Sequence, residues 1–147
     1  MLVDHFYAAQ NITGLSPLHP FGTSATLRNP NAGSTVGGTL QGSTDSYTFP
    51  ASVSSGVYII TYMCEYDTPG TTGNTIIQNL ANCAPYNFFI SGSSNEYAVD
   101  STTDVIGWFA IEVTSAGASF QLTNDGTMTN PGEGFDLIVQ QIPVNLT

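Results

Sequence analysis

Apolar and polar positions alternate along most of this chain, and helical spacing is nearly absent. The clearest run covers residues 57–66. Val57, Ile59, Thr61 and Met63 point one way, and Tyr58, Ile60, Tyr62, Cys64 and Tyr66 point the other. Both faces are largely apolar or aromatic, which predicts a central strand covered on both sides or bordering an interface. A second run, 105–113, sets Val105, Gly107, Phe109, Ile111 and Val113 against Ile106, Trp108, Ala110 and Glu112. Ser115-Ala116-Gly117 then offers a turn whose glycine can take positive φ, and Ala118, Phe120 and Leu122 alternate on the return. Together these predict a hairpin. Phe135, Leu137 and Val139 form the last strong strand, and Pro143 ends it. Weaker strands are expected at 24–28, 35–41, 46–49, 75–80, 86–90 and 96–99. Turn clusters such as Asp67-Thr68-Pro69-Gly70 and Asn130-Pro131-Gly132 separate the runs.

Roughly eight to ten short strands at regular spacing predict an all-β fold, an antiparallel β-sandwich with the jelly roll as its commonest eight-strand form. The sandwich is expected over residues 21–147 as a single domain. Residues 1–20 are the least regular and read as an N-terminal arm or tether. A chain of 147 residues suits one core.

Composition adds a constraint on partners. Charged residues make up 8% of the chain, against about 25% in an average soluble protein. Aromatics at 11% argue against disorder, so the surface is built of hydroxyls and amides on a folded domain. Arg28 is the only Lys or Arg, and eleven Asp and Glu bring the formal net charge to −10. Nucleic-acid binding rests on Lys and Arg displacing counterions from phosphates. The domain is therefore expected to repel nucleic acid and anionic membrane surfaces. No apolar run reaches the ~18 residues of a membrane span. The first ten residues lack the basic and apolar regions of a signal peptide, whereas the acidic, hydroxyl-rich surface suits an external environment. A piece of a longer chain is the expectation.

Candidate chemistry is sparse. Cys64 and Cys83 leave two readings open, a disulfide or two separate buried thiols. Neither has a second Cys or a His at ligand spacing, so a metal site on them is not expected. His5 and His19 fall in the irregular first twenty residues, and no Gly-x-Ser-x-Gly elbow supplies a nucleophile. A carboxylate pair for glycoside hydrolysis would draw on Glu65, Glu112 or Glu133, with Asp67 or Asp136. Glu112 stands out by alternating with Trp108 and Ala110, though a solvent-facing strand residue is the weightier reading. No catalytic residue is assigned, and an enzyme is not expected. No cofactor is expected either; if calcium binds, Asp125, Glu133 and Asp136 are its ligands, although turn formation explains the same residues. What remains is surface. Tyr, Ser and Asn in loops make adaptable recognition surfaces, and Tyr66, Asp67, Tyr86, Asn87 and Tyr97 are the candidate receptor- or ligand-binding residues.

Two resemblances follow from short stretches. Ser55-Gly56-Val57-Tyr58-Ile59-Ile60-Thr61-Tyr62, with Gly107-Trp108-Phe109-Ala110-Ile111-Glu112-Val113 and its return, resembles the strands of capsid protruding domains. These belong to small non-enveloped RNA viruses of the nodavirus and tetravirus kind, and the likeness runs in style over residues 21–143. It implies a projecting jelly-roll module at the virion surface, grouped as dimers or trimers, that meets a host-cell receptor or glycan and carries no catalytic residues. The basic arm and shell domain of a whole capsid protein are not in this sequence, so the projection alone is implied. Separately, Gly42-Ser43-Thr44-Asp45-Ser46-Tyr47-Thr48-Phe49 is similar to a strand of bacterial pre-peptidase C-terminal domains. That likeness implies a secreted, extracellular β-sandwich appendage binding carbohydrate or calcium.

Overall fold

A computed structural model of the chain describes residues 2–8, 35–41, 46–65, 75–86, 96–99, 105–124 and 134–143, with only the backbone path at several strand ends. Ten strands are found there: β1 (Val3–Ala8), β2 (Thr39–Gln41), β3 (Ser46–Thr48), β4 (Gly56–Glu65), β5 (Thr75–Ala81), β6 (Cys83–Pro85), β7 (Glu96–Val99), β8 (Val105–Val113), β9 (Ser119–Asn124) and β10 (Gly134–Ile142). They form two five-stranded sheets, ordered β1-β10-β4-β8-β6 and β2-β3-β9-β5-β7. Every pairing is antiparallel. The fold is an all-β sandwich, and no helix occurs among the described residues.

Period-two alternation builds the core between the sheets. In the first sheet Tyr58, Ile60 and Tyr62 of β4, Phe109, Ile111 and Val113 of β8, and Leu137 and Val139 of β10 are all buried. Leu40, Tyr47, Phe49, Ile77, Phe120 and Leu122 meet them from the second sheet. Tyr47 stacks on Phe120 with ring centroids 5.3 Å apart, and Phe109 meets Phe120 edge-on at 5.5 Å. Such aromatic pairs are worth about 0.5–1.5 kcal/mol beyond the area they bury. β4 does occupy the centre of its sheet, as its two-sided apolar pattern predicts.

Two expectations are corrected by the topology. The run 105–113 and its return do not pair as a hairpin, because β8 lies in the first sheet and β9 in the second. Residues 114–118 form an arch across the sandwich, with Gly117 at φ +80°. Local alternation around a glycine turn is the same for a hairpin and an arch; only the neighbours of each strand separate them. β8 is already flanked by β4 and β6, and β9 by β3 and β5. The second correction concerns the arm. Residues 3–8 are not irregular but form β1, paired along its whole length with β10. Residues 9–20 lie outside the described residues. β6 was hidden from sequence reasoning by its length and by Pro85; of the strand expected at 86–90 only Tyr86 is described, outside any strand, and 24–28 lie outside the described residues.

Candidate functional site

The outward faces of the two sheets differ in kind. On the second sheet, Thr39, Gln41, Thr48, Ser119 and Gln121 alternate with the core residues, giving an ordinary hydrated face. The Gln121 side-chain carbonyl accepts from Gln78 Nε2 at 3.0 Å and from Asn79 Nδ2 at 2.5 Å, tying β9 to β5.

The first sheet turns a different set outward. Register places Trp108, Thr61, Ile138 and His5 in one row across β8, β4, β10 and β1. Ala110, Ile59, Gln140 and Val3 form the next row, and Glu112, Val57 and Ile142 the one after. Trp108 is 50% exposed, the larger of the two exposed large hydrophobics among the described residues. Tyr86, just past β6, donates its backbone N–H to Ala110 O at 2.8 Å, which continues the β6–β8 pairing by one residue, and its side chain is partly buried. The sequence pattern identified the outward face of β8 but not its exposure. The largely apolar character of both sides of 57–63 was the available signal.

At the β1–β10 edge of this face His5 Nε2 pairs with the Asp136 carboxylate, and the His5 ring lies 5.4 Å from that of Tyr7. Asp136 is thus engaged by a histidine rather than by neighbouring acids, and it does not gather with two further acidic, His or Cys groups among the described residues. Asp125 and Glu133, the other calcium candidates, lie outside the description. Glu112 is partly buried opposite Val57 and Ala84. Val57 in turn pairs with Ile142, six residues along β10 from Asp136. Glu112 and Asp136 therefore sit roughly 20 Å apart, whereas glycosidase carboxylates work at about 5–9.5 Å. That pair is ruled out.

The two cysteines are resolved by register. Cys64 pairs with Val105 and Cys83 with Val113, at opposite ends of β8. Eight residues of strand span ~26 Å, and a disulfide needs Cα atoms within about 7 Å. Cys83 is a free thiol, donating to Ser119 O at 3.3 Å. Burial pushes its pKa up to about 11, which leaves it protonated and unreactive at neutral pH.

Of the five candidate binding residues, Tyr86 is placed as above. Tyr97 belongs to β7, opposite Ile77, rather than to a loop. Tyr66, Asp67 and Asn87 lie outside the described residues.

One functional-looking group escaped sequence reasoning altogether. Asp4 is 1% exposed and faces inward from β1, opposite Val139. Its carboxylate accepts from Gly37 N at 3.0 Å, Gly38 N at 2.7 Å and the Tyr47 hydroxyl at 2.7 Å. These donors come from the strand β3 and from the chain entering β2, so Asp4 latches the edge of one sheet to the other. Burial first, and the bond to Asp4 second, hold the Tyr47 hydroxyl pKa far above its ordinary value. Donors that satisfy a carboxylate this fully mark a structural clamp. The signal was an acid at the inward position of an alternating Val-Asp-His-Phe-Tyr run.

Compared with known proteins, the chain matches no family model and no curated relative.

Proposed function

We propose that this chain is a virion-surface projection domain of a capsid protein, which attaches to a host-cell receptor or glycan and contacts further copies of itself. The observation that carries the reading is the order of the strands. With β2 and β6 set aside, the sheets read β1-β10-β4-β8 and β3-β9-β5-β7. Numbered along the chain, these eight strands run 1-8-3-6 and 2-7-4-5, with successive strands changing sheet at almost every step. This connectivity supports a jelly roll, an architecture recurrent in viral capsid and lectin domains. Function belongs to sites rather than folds, and the surface adds its own support. A chain at −10 with a single Arg is unsuited to packaging nucleic acid. Trp108, half exposed on the outward side of the first sheet, offers stacking area to a receptor or a neutral sugar, and Tyr86 follows β6 next to its strand.

The secreted bacterial module binding carbohydrate or calcium is the second reading, favoured by one observation. The strand that bears its resemblance buries both Tyr47 and Phe49, as a Tyr-x-Phe core strand should.

The test is saturable binding of labelled domain to a panel of cultured cells and immobilised glycans, with melting followed in calcium and in EDTA. Binding displaced by excess unlabelled domain, weakened by Tyr86→Ala and indifferent to EDTA is the expected result. A chain that binds no cell and melts earlier in EDTA overturns the projection reading in favour of the secreted module.

A further inference from the structure

Carboxylates hold the first strand on both sides of its sheet. On the inward side Asp4 Oδ1 accepts from Gly37 N at 3.0 Å, and Oδ2 accepts from Gly38 N and from the Tyr47 hydroxyl, each at 2.7 Å. On the outward side His5 Nε2 pairs with Asp136 of β10, with the Tyr7 ring beside the imidazole. β1 ends its sheet next to β10. β10 is itself paired with β4 along its whole length, so β1 can part from it without breaking any other described strand pairing. Asp4 and Phe6 are the buried side chains described on β1. One of these two anchors in the core is thus a group whose bonding depends on its protonation.

We propose that β1 is an acid-released latch, which parts from β10 when Asp4 and Asp136 take up protons while the rest of the sandwich stays folded. The device does not depend on what the domain attaches to. The geometry about Asp4 sets the sign. Both of its oxygens face donors, so a proton on either one meets an N–H or O–H already pointed at it. Two of those donors are fixed backbone groups, and burial holds the Tyr47 hydroxyl protonated. The carboxylate is therefore the form that latches, and its contribution is present at neutral pH and lost as pH falls. Tyr47 of β3 is the titratable group bonded to Asp4, with Tyr58 of β4 near it, and neither phenol changes charge in acid. At the outer contact a proton on His5 favours the pair, whereas a proton on Asp136 removes its charge. Titratable neighbours there are Tyr7 on β1 and, by register, Glu65 on β4, two positions along from the Met63 that stands opposite Asp136. Release of one edge strand by itself is a local opening of the kind that hydrogen exchange detects.

Amide hydrogen exchange of the intact chain, followed by NMR from about pH 7 to about pH 3.5, tests this. Gln141 N donates to Leu2 O at 3.0 Å, so antiparallel alternation makes Asp4 and Phe6 β1 residues whose amides bond to β10. Their protection factors should fall about tenfold or more over that range, while the amides of β4, paired on both sides, hold within about threefold. Asp4→Asn keeps an acceptor oxygen that acid does not alter. Its β1 should exchange faster than the parental strand at neutral pH and show a smaller fall in acid. Asp136→Asn, at the partly exposed outer contact, should also reduce the fall, and it serves where Asp4→Asn does not fold. Flat protection of β1 across the range overturns the proposal. Parallel loss in β1 and β4 overturns it as well, being acid unfolding of the whole sandwich. Folded variants that both keep the parental pH dependence would show that neither carboxylate senses the proton, and the latch would fail with them.

Discussion

Gly37 N, Gly38 N and the Tyr47 hydroxyl donate to the Asp4 carboxylate, and the two backbone groups cannot turn away. Asp4→Ala leaves them buried against a methyl group, where each unsatisfied polar group costs about 1–3 kcal/mol. We expect a loss of about 3 kcal/mol in urea unfolding, and a smaller one for Asp4→Asn, whose side-chain oxygen still accepts. Equal losses for the two would show that the carboxylate's charge, not its acceptor geometry, holds the latch. A second residue-scale prediction concerns alkaline pH. The Cys83 thiol ionises at 9.0 ordinarily and at about 11 in the fold, and burial likewise raises Tyr47 and Tyr58 above 10.0. Between those values the unfolded chain releases protons that the folded chain keeps, so stability present below pH 9 is lost as pH rises. The urea midpoint should fall from pH 9 to 11, and Cys83→Ala should flatten the first part of that fall. An unchanged slope would mean that the thiol is as hydrated in the fold as outside it.

The arch between β8 and β9 is held from a third element. Asn82, at φ 52° between β5 and β6, donates its side-chain amide to Ala116 O at 2.9 Å. Its own carbonyl accepts from Thr114 N at 3.0 Å. Asn82→Ala loses the amide bond and strains the left-handed backbone, at a cost of about 1–2 kcal/mol. Asn82→Gly relieves the strain and should recover part of that loss; a glycine variant no better than alanine would locate the whole effect in the amide. Within the first sheet, Gly107 lies directly opposite Tyr62, and a methyl group there would come within 2.2 Å of the Tyr62 hydroxyl and 2.5 Å of its ring. The ring takes the space that a side chain would fill. Gly107→Ala should cost about 1–3 kcal/mol, read by thermal or urea unfolding. In combination with Tyr62→Leu its further cost should shrink, and simple additivity would show that the two do not touch.

At the scale of the molecule, charge and face oppose each other. Like-charged copies repel over about 10 Å at 0.1 M salt, while an apolar contact is little affected. Raising sodium chloride from low concentration to about 0.15 M should therefore strengthen the proposed contact between copies in sedimentation. Dissociation on adding salt would instead point to an interface built on ion pairs.

Much of the sandwich was legible along the chain. The alternation of 57–63, 105–113 and 135–139 assigned strands and their inward residues, because a strand's period of two depends only on local geometry. The excess of acids likewise set an expectation against nucleic acid without any fold. What local pattern could not carry was the identity of neighbours. A glycine turn at 115–117 serves a hairpin and an arch alike, and the arch followed from β8 and β9 each having both edges occupied. Cys64 and Cys83 looked bridgeable until register put them at opposite ends of β8. Asp4 and His5 read as tether residues because the partners that give them meaning lie 33 to 131 positions away. Sequence by itself determined the strongly alternating strands β4, β8, β9 and β10 and which of their sides are apolar, both local properties of a pleated chain. Tertiary structure decided which apolar side is core and which is left facing outward, since burial depends on what the rest of the chain brings alongside.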